Sequence, residues 1–244
     1  MRSELFTNNL ETAGDAAFSL QNSKMLKVKL NGSISARQGS MICYQGQADF
    51  NYQGAGGLGK MIKQKLTGEG VAVMTVNGQA DVFFADQARD VHLIYLEGDA
   101  VSINGRNVLA YGPGMDVDVH MIGNAGMMSG GLFNTIIRGT GWVAITSQGT
   151  PVVLQTDAPT YVDSNAVVAW SANLQVSMAR SFKMNNLIGR GSGEAVQLAF
   201  GGQGWVIVQP SELDLATMNQ GGQTQVGASA GGGLGGLAGG LLGR

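Results

Sequence analysis

Along much of the chain apolar residues fall at every second position, in short runs such as "MLKVKLNG" (25–32), "VAVMTVNG" (71–78), "VHLIYLEGD" (91–99), "MDVDVHM" (115–121), "WVAITSQG" (142–149) and "GWVIVQP" (204–210). Period 2 sends successive side chains to opposite faces of an extended backbone, and the Gly, Asn and Asp residues at the run ends supply the turns. The pattern predicts antiparallel sheets with one apolar face. Only two stretches are read as helical, Lys60–Leu66 and Leu132–Arg138, each a couple of turns beside glycine-rich loops.

The pattern also recurs. "GGLGKMIKQKLTGEGVAVMTVNG" (56–78) aligns with "GGLFNTIIRGTGWVAITSQG" (130–149), placing Gly68, Gly70 and Gly78 against Gly139, Gly141 and Gly149. A third stretch, "NLIGRGSGEAVQLAFGG" (186–202), keeps the Gly-x-Gly at Gly191 and Gly193. These six Gly-x-Gly residues are expected to be structural, with positive φ or close backbone approach at the entrance to each long strand. A second element recurs in step: "MICY" (41–44), "VLAY" (108–111) and "VVAW" (167–170) each run two apolar residues, Cys or Ala, then an aromatic. Tyr44, Tyr111 and Trp170 are accordingly expected in the core. The reading is a lead-in (1–24), one β domain of three units (25–89, 90–158, 159–211) and a glycine-rich tail (212–244). Units of this length with one apolar face need to pack on one another, so a pseudo-threefold body is expected.

Two of these stretches resemble a known family. "MLKVKLNGSISARQGSMICYQG" with "GGLGKMIKQKLTGEGVAVMTVNGQADVFFA", and later "GEAVQLAFGGQGWVIVQPSE", resemble bacterial homologues of the altered-inheritance-of-mitochondria family, a domain of unknown function. The order and spacing of segments agree over most of residues 20–212. The resemblance implies an all-β, antiparallel sandwich or prism-like fold similar to the tryptophan RNA-binding attenuation protein, which assembles into rings. It brings no catalytic residues. Mitochondrial members of the family are linked to inner-membrane organisation.

Candidate chemistry is sparse. "NYQGAGGLGKMIKQ" (51–64) approaches a phosphate-binding loop, but Met61 stands where the loop needs Ser or Thr, and no parallel strand–helix unit surrounds it. His92 and His120 lie in alternating strands without a Cys or an acidic pair at ligand spacing, so no metal site is assigned. Asp116 and Asp118 share a strand face in a half-exposed pattern, and Ser192 lies in no nucleophile-elbow pattern. Cys43 is the single cysteine, inside an apolar run, and is read as a buried small hydrophobe. No enzyme activity, cofactor or catalytic residue is assigned.

Charge narrows the partners. Charged residues make up 13% of the chain against a usual ~25%, and the net charge is −2, so no global field recruits nucleic acid. Lys60, Lys63 and Lys65, with Lys24, Lys27, Lys29 and Arg37, form the one candidate anion-binding patch; Glu4, Glu11, Asp15 and Asp49 offset part of it and favour a solvated face. The absence of a signal-like or spanning apolar segment points to the cytoplasm. The tail is expected to be a mobile appendage, its sharper reading being a weak membrane or partner contact through its leucines. The resulting expectation is a non-enzymatic, homo-oligomeric scaffold or assembly protein that engages protein partners. The alternative is a binding module for a small ligand, lipid headgroup or RNA.

Overall fold

The computed structural model of the chain describes residues 1–52, 72–122, 133–179 and 197–211. One helical turn, α1 (Leu5–Asn8), precedes the strands β1 (Phe18–Asn22), β2 (Met25–Arg37), β3 (Met41–Tyr52), β4 (Val73–Phe84), β5 (Asp90–Asn104), β6 (Val108–Tyr111) and β7 (Asp116–Met121). The second half holds β8 (Phe133–Ser147), β9 (Val152–Gln155), β10 (Thr160–Asp163), β11 (Val167–Ser171), β12 (Gln175–Ala179), β13 (Gln197–Gly201) and β14 (Trp205–Val208). Among the described residues the pairing is antiparallel throughout. The large sheet runs β3-β4-β2-β6-β8-β5-β11-β14-β9, with β1 beside β2 and β7 beside β8; β10, β13 and β12 form a second sheet. The all-β antiparallel class read from the period-2 runs is what the chain adopts.

The helix expected at Leu132–Arg138 does not form: residues 133–138 are the first half of β8, paired with β5 from Asn134 opposite Asn104 through Ser147 opposite Asp90. Thr135, Ile136 and Ile137 are β-branched and suited to a pleated surface, and a ladder of this length overrides a local helical pattern. The other expected helix, Lys60–Leu66, lies outside the described residues.

A long strand lies against a later one twice, β2 against β4 and β5 against β8; toward the end of the described residues the four-residue β9 lies against β14 in the large sheet and the four-residue β10 against β13 in the small one. The strand bearing the apolar–apolar–Cys/Ala–aromatic motif pairs with the far half of the later long strand, as Met41–Gly46 does with β4 and β6 with β8, and β11 pairs with β14. The remainder of β3 and β7 pair with its near half, and β12 pairs with β13. β6 also inserts against β2, with Ala36 opposite Ala110 and Ser35 opposite Tyr111. β11 inserts against β5 in the same way, with Ile103 opposite Ala169 and Ser102 opposite Trp170.

The glycines bend these strands at their midpoints, not at their entrances. Gly78 in β4 lies opposite Gly32 in β2, and a Cβ on Gly78 would stand 2.1 Å from the carbonyl oxygen of Gln47. Gly139 holds φ +135° at the middle of β8, opposite the bulge at Glu97–Asp99 of β5 and against Met115. Gly78 therefore has in β4 the place that Gly139 has in β8, whereas the sequence alignment set it against Gly149, which lies in the turn after β8. Matching glycine to glycine by spacing ignores which half of a strand carries the ladder. Gly141 shares the bend of Gly139 with φ +143°; Gly68, Gly70, Gly191 and Gly193 lie outside the described residues.

Burial follows the pairings. Leu26, Val28, Val76, Val82, Phe84 and Leu109 anchor one cluster, and Ile103, Ile137, Val143, Ile145 and Val168 a second. The third gathers Val167, Trp170, Leu198, Phe200 and Val206, with Trp170 edge-on to Phe200 at 5.7 Å. Each motif strand thus feeds a core, with one exception.

Candidate functional site

The exception is β3. In β6 and β11 the motif residues Val108, Leu109, Ala110, Val167, Val168, Ala169 and Trp170 are buried. In β3, Ile42 is 54% exposed and Tyr44 45%, against the core position expected for the tyrosine. Cys43, expected as a buried small hydrophobe, is also exposed. The reason is topological: β6 and β11 are flanked on both sides, while Met41–Gly46 pairs with β4 alone among the described strands. Met41 at the start of β3 and, further along, Ala48 and Phe50 do pack on the core, Phe50 against the Tyr44 ring at 5.3 Å. At the opposite end of the large sheet β9 pairs with β14 alone among the described strands and exposes Val152, Val153 and Leu154.

Beside Tyr44 the bends at Gly32, Gly46 and Gly78 open a groove of about 740 Å³, lined also by Asn31, Gln47, Asp49 and Gln79. Its lining carries one carboxylate, three side-chain amides and a phenol, and no cation. Alternation places Gln47 and Asp49 on one face of β3. No local spacing announces this groove, because its residues come from three strands and meet only where all three bend.

The basic residues near the N-terminus are paired one by one. Lys24 meets Asp90 at 2.7 Å, Lys29 meets Asp15, and Lys27 lies between Glu11 at 2.6 Å and Asp81 at 3.3 Å. The hydrogen bond from Lys27 to Glu11 lifts its ammonium above the usual lysine range, outweighing the loss of solvation. Arg37 is half-buried at the end of β2: its Nε donates to Val108 O at 3.0 Å, one Nη donates to the carbonyls of Gly105 and Arg106, and Asp86 faces the other. Burial pulls the Arg37 guanidinium below its ordinary value while Asp86 opposes the shift. These four cations hold strands and turns together rather than offering an open anion site. Lys60, Lys63 and Lys65 lie outside the described residues.

The histidines and carboxylates are likewise engaged. His92 Nε2 is 2.7 Å from Ser147 Oγ, and that hydroxyl donates its single proton to Gly149 O at 2.7 Å. The imidazole is therefore the donor to the serine, the reverse of the polarity that activates a nucleophile. Burial lowers the His92 pKa from its ordinary value near 6.5, against the pull of Asp90. Asp116 and Asp118 share the Arg138 guanidinium at 3.4 and 3.3 Å, with His120 3.7 Å from Asp118. Among the described residues no group of three or more His, Cys, Asp and Glu is placed to hold a metal, and no helix is long and apolar enough to cross a membrane.

A family model described as mitochondrial biogenesis AIM24 matches residues 18–211. No curated protein matches the chain. Among solved structures, the crystal structure of a Streptococcus pyogenes protein superposes with a TM-score of 0.65 at 21% identity, covering 84% of this chain and 95% of that one. At that identity the likeness speaks to the fold.

Proposed function

The chain belongs to the AIM24 family, and from that premise we propose that it is a non-enzymatic scaffold, an assembly protein whose working parts are sheet surfaces. The observation that carries this reading is the uncovered apolar surface at both ends of the large sheet, Ile42 and Tyr44 on β3 and Val152 to Leu154 on β9. A sheet edge with unpaired backbone groups and apolar side chains is a template for another chain, and a sequence with few charges does little to guard it. Dismissing catalysis rests on the inverted Ser147–His92 polarity and the ion-paired carboxylates. The test is quantitative affinity capture from the native cell with the wild-type chain, Ile42→Glu and Val153→Glu. Loss of a defined protein set in either variant supports the scaffold; an identical set in all three refutes it.

A second reading is favoured by the groove at Asn31, Gln47, Asp49 and Gln79. Its amides and lone carboxylate suit an uncharged, hydroxyl-rich small molecule, while the lack of a cation disfavours a phosphate-bearing headgroup or RNA. Amide chemical-shift changes confined to these residues on titration with sugars and polyols, abolished by Asp49→Ala, are the expected result for this reading.

A further inference from the structure

The motif strand forms the same junction twice and leaves a third unmade. β6 enters between β8 and the outer half of β2, and β11 enters between β14 and the outer half of β5. In both, the aromatic lies opposite one residue of the long strand and the preceding alanine opposite the next: Tyr111 with Ser35 and Ala110 with Ala36, then Trp170 with Ser102 and Ala169 with Ile103. Met41–Tyr44 has its place beside β4 but nothing described on its outer edge. The strand left without an inserted neighbour among those described is the four-residue β10, which pairs with β13 and exposes Tyr161 on the border of its sheet.

The register can be carried across. Ser35 faces Thr75, three residues before the bend glycine of β4, and Ser102 faces Ile136, three before Gly139 of β8. The matching bend glycine of the last unit is Gly202, with φ +104° and four residues before the partner of Trp170 as Gly139 is before that of Tyr111, so the residue in that position on β10 is Tyr161, which faces Ala199, three before Gly202. Tyr44 would therefore lie opposite Tyr161, and Cys43 opposite Val162. We infer that β3 of one chain pairs antiparallel with β10 of a second copy, covering Ile42 and Tyr44 as Leu109 and Tyr111 are covered within the chain. A second copy is the occupant because it carries the one edge whose counterparts already accept this motif twice. The interface joins two different edges, so it is heterologous and generates either a closed assembly or a growing one. The inference deepens the assembly reading, yet its test needs no other protein.

The register makes Cys43 its own probe. Antiparallel partners stand about 4.5–5.5 Å apart at Cα, within the span a disulfide bridges. Two full-length proteins are mixed at micromolar concentration under mild oxidation: the wild-type chain, whose single cysteine is Cys43, and a Cys43→Ser/Val162→Cys chain. The expected product is a mixed disulfide dimer on a non-reducing gel, at least tenfold above that from a Cys43→Ser/Val153→Cys control. Bridging to position 153 instead, Cys43 to Cys43 dimers of the wild type, or no bridge at all would each overturn the pairing. Val162→Cys alone, keeping Cys43, tests closure within one chain: an internal bridge running as a monomer also overturns it. Light scattering of the unsubstituted chain covers the case of a variant that does not fold, with dimer or larger mass expected, reduced by Ile42→Arg, and a monomer refuting the inference. An assembled chain that captures no other protein would sink the scaffold reading alone; a monomer that captures partners would sink only the pairing.

Discussion

A Cβ on Gly78 would overlap the Gln47 carbonyl, and its positive φ is one that L side chains rarely adopt, so both conformation and space reject substitution there. Gly78→Val is expected to cost about 3–5 kcal/mol in urea unfolding, a size reserved for such combined defects. Gly139→Val should cost less, because its nearest neighbour is the Met115 sulfur at 3.1 Å, the movable part of a side chain. His92 makes a pH-dependent contribution. Its folded pKa lies below its ordinary value, so between the two the unfolded chain binds more protons and stability rises with pH. The contribution is complete above about pH 6.5 and is lost as pH falls toward the folded value. Urea melts of the wild type and His92→Gln at pH 7.5 and pH 5 should show the wild-type advantage shrinking on acidification; an advantage that grows would contradict the neutral, half-buried imidazole.

At the scale of the strand, the same four-residue motif meets two environments, and this separates folding from association. Leu109→Ala removes a fully buried side chain from between two ladders and should destabilise by about 2–5 kcal/mol. Ile42→Ala, at the matching position of β3, should change the unfolding free energy of dilute monomer by only about 0.5 kcal/mol or less. It should instead weaken self-association measured by light scattering. The strands themselves were legible as period-2 runs bounded by turn residues. The first half of β8 was not, because "LFNTIIR" satisfies a short helical pattern as well as a strand, and only the distant partner β5 decides between them. The recurrence of the motif was equally legible, but its alignment slipped at Gly78 because residue spacing carries no record of which strand halves are paired.

For the whole molecule, both edges of the inferred junction lie before residue 212, so a chain ending at Glu212 should keep the assembled mass of the full chain in light scattering. Dissociation on truncation would transfer the contact to the glycine-rich tail. The sequence by itself determined the all-β class, the turns and the apolar faces, since these follow from side-chain alternation and backbone preference within a few residues. It also determined the low charge that leaves edges unguarded. Tertiary structure alone decided which motif strands are covered: Leu109 and Val168 are buried and Ile42 is exposed although their local sequences are alike, because coverage depends on whether a second strand arrives from far along the chain. Tertiary structure likewise converted Lys24, Lys27, Lys29 and Arg37 from a basic cluster into four separate ties, because each carboxylate partner approaches from another segment: Glu11 and Asp15 from the stretch before β1, Asp86 from the connection after β4 and Asp90 from β5.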